Sequence, residues 1–327
     1  MATGPFTTDR CRIGWGYTGG AGTITGGLFL PVRDLPITVA EVIDMTPGMR
    51  QVGQYMPGNQ RKGTRHFELP GVVYDLYPQA DGITRFPHYE LLKAAGMAES
   101  GSFAYTLADP HNDGDTPDGD SVLIAKSSDS KFFGYIIDTQ LVEAQNVCCN
   151  LTFNFMAGEV PSLIADFYGQ IPASVANAVP SLYTVTPPSV TAQSVKPVAA
   201  QTAGLTMASV AAGAVIENVS ISLGAQVSMA RDVNSAHGVA APRISGYRPT
   251  ATMLVRAHND TLLVDQLAGT TRTLAFVNGG SGTGGIITVS MGILISGGVQ
   301  VDEKDNFKWY AVAAEMNPSG ALSLTWS

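Results

Sequence analysis

Glycine and proline interrupt this chain so often that no long helix can run through it. The 327 residues include 36 Gly and 19 Pro, and both residue types end helices and mark turns. The intervening apolar runs are short. Strands are expected over 37–45, 65–76, 102–108, 121–126, 132–143 and 146–156 in the first half. In the second half they are expected over 215–229, where Val219, Ile221 and Leu223 fall on one face, and over 250–257, 274–277, 286–296, 307–316 and 321–326. Asn317-Pro318-Ser319-Gly320 reads as a hairpin turn between the last two. The clearest helix is Pro87-His88-Tyr89-Glu90-Leu91-Leu92-Lys93-Ala94-Ala95-Gly96, with Pro near its start and Gly closing it. A second short helix over 260–268 is closed by Gly269. The fold class is therefore mainly β.

The two halves share an order of landmarks, which points to an internal repeat. Gly63-Thr64-Arg65 and Gly246-Tyr247-Arg248 each open a strand. Leu91-Leu92 to Gly96 and Leu262-Leu263 to Gly269 are the helices, and Leu151-Thr152-Phe153 and Leu324-Thr325-Trp326 lie in late strands. The expected organisation is a Gly/Thr-rich arm over 1–35, a first β unit over 36–170, a Pro/Ala/Thr-rich linker or crossover over 171–208, and a second β unit over 209–327. Each unit is expected to be a β-sandwich or barrel with one short flanking helix.

Charge narrows the function. Charged residues make up only 14% of the chain, against about 25% in ordinary domains, which suggests a surface largely covered by partners. The net charge of −8 resides in residues 1–170, which hold 11 basic against 19 acidic residues. With no Lys/Arg-rich run, tight binding to a phosphate backbone is not expected. Cys11, Cys148 and Cys149 form no disulfide framework. Cys148 and Cys149, adjacent in a strand, point to opposite faces and read as buried structural thiols. No signal peptide is read at the N-terminus, and no apolar run reaches the roughly 20 residues that span a bilayer.

Motif by motif, the chemistry of enzymes is missing. Gly14–Gly19 and Gly280–Gly285 fit a dinucleotide fingerprint in spacing, but neither leads into a helix, and both read as turns or loops. The loop Asp109–Asp120 holds five carboxylates but no closing Glu, so it reads as a solvated hairpin tip. His66, His88, His111, His237 and His258 lack metal-ligand spacing. No catalytic residue, cofactor or metal site is assigned.

Three phrases carry a resemblance. They are Pro87–Gly96 followed by Tyr105-Thr106-Leu107; Phe133–Asp138 running into Leu151–Gly158; and Asn218–Leu223 leading through Arg231-Asp232 to Gly246-Tyr247-Arg248-Pro249. On these the chain resembles the tail tube proteins (major tail proteins) of long-tailed bacteriophages. The resemblance implies a β-sandwich or barrel with a flanking helix, and copies that close into rings whose stack is a hollow conduit for DNA. It implies a structural virion protein, not an enzyme, folded and assembled in the host cytoplasm. Its partners would be itself, other tail proteins and passing DNA, with no membrane. Two units per chain would favour a trimer over a hexamer. The arm over 1–35 and the loop Asp109–Asp120 are the expected ring-to-ring connectors. Acidic walls would repel a polyanion, and Glu41, Asp44, Asp138 and Glu143 are the candidate DNA-facing lumen residues, because carboxylates are depleted inside strands. Alternation allows at most one of each neighbouring pair to face a channel. Other readings are a baseplate or capsid-decoration protein, or a β-sandwich binding module.

Overall fold

The computed structural model describes residues 12–17, 28–30, 32–34, 41–46, 61–76, 88–100, 104–107, 131–137, 140–170, 183–184, 202–206, 215–235, 237–256, 261–278, 287–317 and 322–326. The mainly β expectation holds. In the first half the elements are β1 (Arg12–Tyr17), β2 (Leu28–Leu30), β3 (Val32–Asp34), β4 (Glu41–Thr46), β5 (Arg61–Asp75), α1 (Tyr89–Ala94), β6 (Ala98–Ser100), β7 (Ala104–Leu107), β8 (Lys131–Ile137), β9 (Gln140–Met156) and β10 (Ser162–Gln170). There follow β11 (Tyr183–Thr184), β12 (Thr202–Thr206), β13 (Ile216–Ser222), β14 (Ala225–Ser228), β15 (Arg243–Tyr247), β16 (Thr250–Arg256), α2 (Thr261–Ala268), β17 (Thr271–Asn278), β18 (Ile287–Lys304), β19 (Phe307–Met316) and β20 (Leu322–Trp326).

Eight strands form one antiparallel series, β4–β5–β10–β9–β13–β16–β19–β18. Two further series branch from its long strands. The N-terminal part of β9 carries β8, β1 and β2 on one side and β11 on the other. The N-terminal part of β18 carries β17 and β12 on one side and β20, β7 and β6 on the other. Both long strands therefore change partners midway, as strands at sandwich corners do. Each change coincides with a local irregularity. The β18–β19 register shifts between Leu294 and Gly298. Gly298 has φ 94°, and a Cβ at Gly297 would lie 2.6 Å from the Ala313 Cβ. In β9, Asn146 has φ 52°, and its Nδ2 donates to Gln170 Oε1 at 2.7 Å. Asn tolerates this left-handed region better than most residues.

Two sequence expectations need correction. β19 and β20 do not pair as the hairpin expected around Asn317–Gly320, of which 318–320 lie outside the described residues. β19 and β20 both run antiparallel to β18 in the same direction: Met316 lies opposite Ile293 and Leu322 opposite Met291. The Asn317 amide donates to the Gly292 carbonyl at 2.9 Å. Turn residues in a sequence signal departure from a ladder and not the partner met afterwards. Likewise, Gly14 and Gly16 lie in β1, paired with β8, and not in a turn. The loop Asp109–Asp120, Asp138, Cys11 and Gly280–Gly285 lie outside the described residues.

One apolar cluster draws on both halves, from Phe67, Tyr74 and Phe153 to Ile221, Met253, Val289 and Leu324. Full burial of one such side chain is worth about 1.5–3 kcal/mol. The helices lie over this core. In α1, Leu91, Leu92 and Ala94 are buried. The Cys149 thiol, also buried, donates to the Leu91 carbonyl at 3.3 Å.

Candidate functional site

In its middle strands, β9 and β13, the eight-strand series has one apolar face and one polar face. Strand alternation creates both. Along β9, Leu151, Phe153 and Phe155 enter the core, while Asn150, Thr152 and Asn154 are partly exposed. In β13, Val219 and Ile221 are buried and Asn218, Ser220 and Ser222 are not. Register then aligns the polar residues into rows across the sheet. Asn154 lies opposite both Ser162 and Ser220, and Ser220 lies opposite Thr252. Thr152 lies opposite Ile164 and Ser222, Ser222 opposite Thr250, and Thr250 opposite Glu315. Ser220 Oγ donates to Asn154 Oδ1 at 2.6 Å, and Thr152 Oγ1 donates to Ser222 Oγ at 3.3 Å. Neighbouring hydroxyl and amide groups thus satisfy one another across the seam between β9 and β13. A groove of about 290 Å³, lined by Asn154, Met156, Glu159, Ser162, Asn218 and Ser220 among others, opens at one end of that seam.

Carboxylates edge this polar face. A bulge in β5 at Pro70-Gly71 shifts the register with β10. Gly71 supplies the positive φ of 75°, and its amide donates to Asp166 Oδ1 at 2.8 Å. Glu68 lies opposite Tyr168. Burial, and then the charges of Asp166, Glu68 and Cys148, push the Tyr168 hydroxyl above its ordinary range. Basic groups nearby are matched. Arg33 pairs with Asp75, Lys304 pairs with Glu217, and Arg248 pairs with Glu315 at 2.8 Å. Arg256 lies 3.6 Å over the Phe307 ring. Among the described residues, a polyanion approaching this face meets hydroxyls, amides and carboxylates, and cations that are paired.

Of the sequence-derived lumen candidates, Glu41 and Asp44 fall in β4, the first strand of the series. Glu41 is in register with Phe67, and Asp44 sits where the β4–β5 register shifts between Ile43 and Met45. Glu143 is opposite Gly134, in the part of β9 that pairs with β8. The structure thus brings Glu41 and Asp44 together on one strand and places Glu143 on another. Sequence reasoning missed the Asn/Ser/Thr rows, although strict polar–apolar alternation over 150–155 and 218–223 was their signal.

Among the described residues, no group of His, Cys, Asp and Glu is arranged to hold a metal, and no helix is long and apolar enough to cross a membrane. Burial pushes the Cys148 thiol up to about 12, so it is not a nucleophile near neutrality.

The family model for phage tail tube proteins matches residues 18–326. The chain belongs to the phage tail tube protein family. It is a structural subunit of the virion tail, and the β-rich architecture agrees. No curated protein matches the chain.

Proposed function

We propose that this tail tube protein closes into rings of three copies, that the rings stack into a tube, and that the polar face of the eight-strand series lines a lumen through which DNA leaves. One observation carries the reading: the series β4–β5–β10–β9–β13–β16–β19–β18 is one pattern used twice. β5 pairs with β10 and β10 with β9; β16 pairs with β19 and β19 with β18 in the same way. α1 follows β5, and α2 follows β16. The branches also correspond: β1, β8 and β11 surround β9 as β12, β17 and β20 surround β18. Two tandem units per chain make three chains a ring of six. The first unit spans 36–170 and the second 209–327, with the N-terminal arm and the 171–208 crossover contributing β1–β3, β11 and β12.

The lumen must let DNA slide, so its wall should repel phosphate or stay neutral to it. The Asn/Ser/Thr rows with Glu68 and Asp166 meet that requirement. Glu41, Asp44, Asp138 and Glu143 remain candidates for the lumen, with at most one of each neighbouring pair facing it. Folding and assembly in the host cytoplasm, and contacts with other tail proteins, belong to this reading. Electron microscopy of the purified protein tests it. Ring averages with three-fold symmetry and six similar lobes, stacked into tubes, are expected; rings or single particles that never stack into tubes would favour a baseplate or decoration protein. In assembled tubes, Glu68→Lys with Asp166→Lys should slow DNA release, and unchanged release would remove these two carboxylates from the wall.

A further inference from the structure

The surface by which the first unit holds the second is repeated on the second unit, where no described strand of this chain covers it. In the first unit that surface has two parts. The edge of β9 pairs with β13, from Thr152 opposite Ser222 to Met156 opposite Asn218. Beside it, the end of α1 is covered by the β14–β15 excursion: Tyr247 Oη donates to the Ala95 carbonyl at 2.7 Å, and Tyr247 and Ile244 crowd Gly96. The counterparts in the second unit are β18 and α2. They form one continuous patch, since the Val299 amide donates to Gln266 Oε1 on α2 at 3.1 Å. Past its register shift, β18 pairs with β19 on one side, and no described strand of this chain pairs with its other side. On α2, Val264 and Leu267 are 57% and 88% exposed, and Val301 on the strand edge is 54% exposed. Nothing lies within 4 Å of a Cβ built on Gly269, the counterpart of Gly96.

We infer that the α2 surface around Val264 and Leu267, with the open edge of β18 over 298–304, is the docking site for a second copy of this chain, which presents the outer edge of its β4. The inference rests on the tube-subunit reading and names the contact that closes its ring. Three observations select this occupant. β4 is the free end of the same strand series and stands to β5 as β13 stands to β16. The internal β9–β13 junction is antiparallel and supplies the template for a β18–β4 junction. The contact is also head-to-tail, the type that closes rings when each step repeats one rotation. An open edge strand beside exposed apolar side chains is otherwise an aggregation hazard.

The test is Val264→Glu with Leu267→Glu in the full chain. Both side chains are exposed, so the variant should melt like wild type yet remain single chains where wild type forms rings. Rings from the variant as abundant as those from wild type would overturn the inference. Should the variant melt lower, Leu267→Cys reports instead, with maleimide labelling located by peptide mass. The thiol should react in dispersed chains and be protected in assemblies; equal labelling in both would overturn the inference. If the wild-type chain forms no rings at all, the tube reading fails first, and Leu267→Cys labelling that does not change with protein concentration then removes the patch as a contact as well.

Discussion

Helix α1 follows β5 and helix α2 follows β16; they pack on the two longest strands and end at glycines with positive φ, 81° at Gly96 and 63° at Gly269. Their surroundings differ. α1 lies beneath Tyr247 and Ile244, whereas α2 turns Val264 and Leu267 outward. Their polar anchors differ as well. Before α1 stands His88, fully buried, its ring 6.1 Å from Tyr74 in an edge-on contact. In α2, buried Asp265 accepts from Arg272 Nε at 3.0 Å and Arg272 Nη2 at 2.7 Å. The same local element is thus covered within the chain at one place and exposed at the other.

The sharpest way to break this comparison is to put a methyl group on each closing glycine. At Gly96 a Cβ would collide with the Tyr247 hydroxyl, so Gly96→Ala adds overpacking of about 1–3 kcal/mol to a left-handed backbone cost of about 1–2 kcal/mol. Gly269→Ala should carry the backbone cost alone, since the space there is open. Denaturant titration of the two variants measures the gap, and equal losses would mean that Tyr247 does not seal α1. The anchors give a second contrast. Arg272→Met should destabilise by stranding the Asp265 carboxylate, and adding Asp265→Asn should recover part of the loss.

Acid should separate the two anchors further. Burial lowers the His88 pKa to about 3, against a smaller opposing effect of its Asp75 backbone hydrogen bond. Unfolded chains bind a proton at this histidine near pH 6.5, and the native state does not. Its contribution to stability is therefore full above about pH 6.5 and falls by up to about 1.4 kcal/mol per pH unit below it, until the native group titrates. His88→Phe should flatten the decline between pH 6.5 and about pH 3. An unchanged slope would show that His88 is protonated or solvated in the native protein.

Much of this fold was legible where one residue type has one physical consequence. Pro87 and Gly96 bracket α1, and the alternation of Val219 and Ile221 gives the buried face of β13. Partner choice was not legible. Asn317–Gly320 look like a hairpin, yet β19 and β20 lie end to end along β18, because non-local pairing energy selected the neighbour. The candidate wall was legible in part. Rarity in strands drew attention to Glu41, Asp44, Asp138 and Glu143, and Glu68 and Asp166 share that property. The hydroxyl and amide rows emerge only once register places β9 beside β13, and register cannot be read from either strand alone.

The smallest expected effect bears most directly on how the chain covers α1. Tyr247→Phe deletes the 2.7 Å hydrogen bond to the Ala95 carbonyl while keeping the ring over the helix, so about 1 kcal/mol of stability should go. Alkaline titration adds a second readout. Burial, then the nearby Cys149 and Cys148, raises the Tyr247 pKa, and burial does the same for Tyr74. Unfolded tyrosines ionise near pH 10 and these native ones do so only at higher pH, so their contribution is full below about pH 10 and is lost as pH rises beyond it. The phenylalanine variant lacks one of these two groups and should lose stability less steeply there, while assembling as wild type does, because the hydroxyl serves a junction inside the chain. If Tyr247→Phe instead weakened ring formation and left chain stability unchanged, the hydroxyl would act between copies, and the distinction between a closed junction at α1 and an open one at α2 would fail.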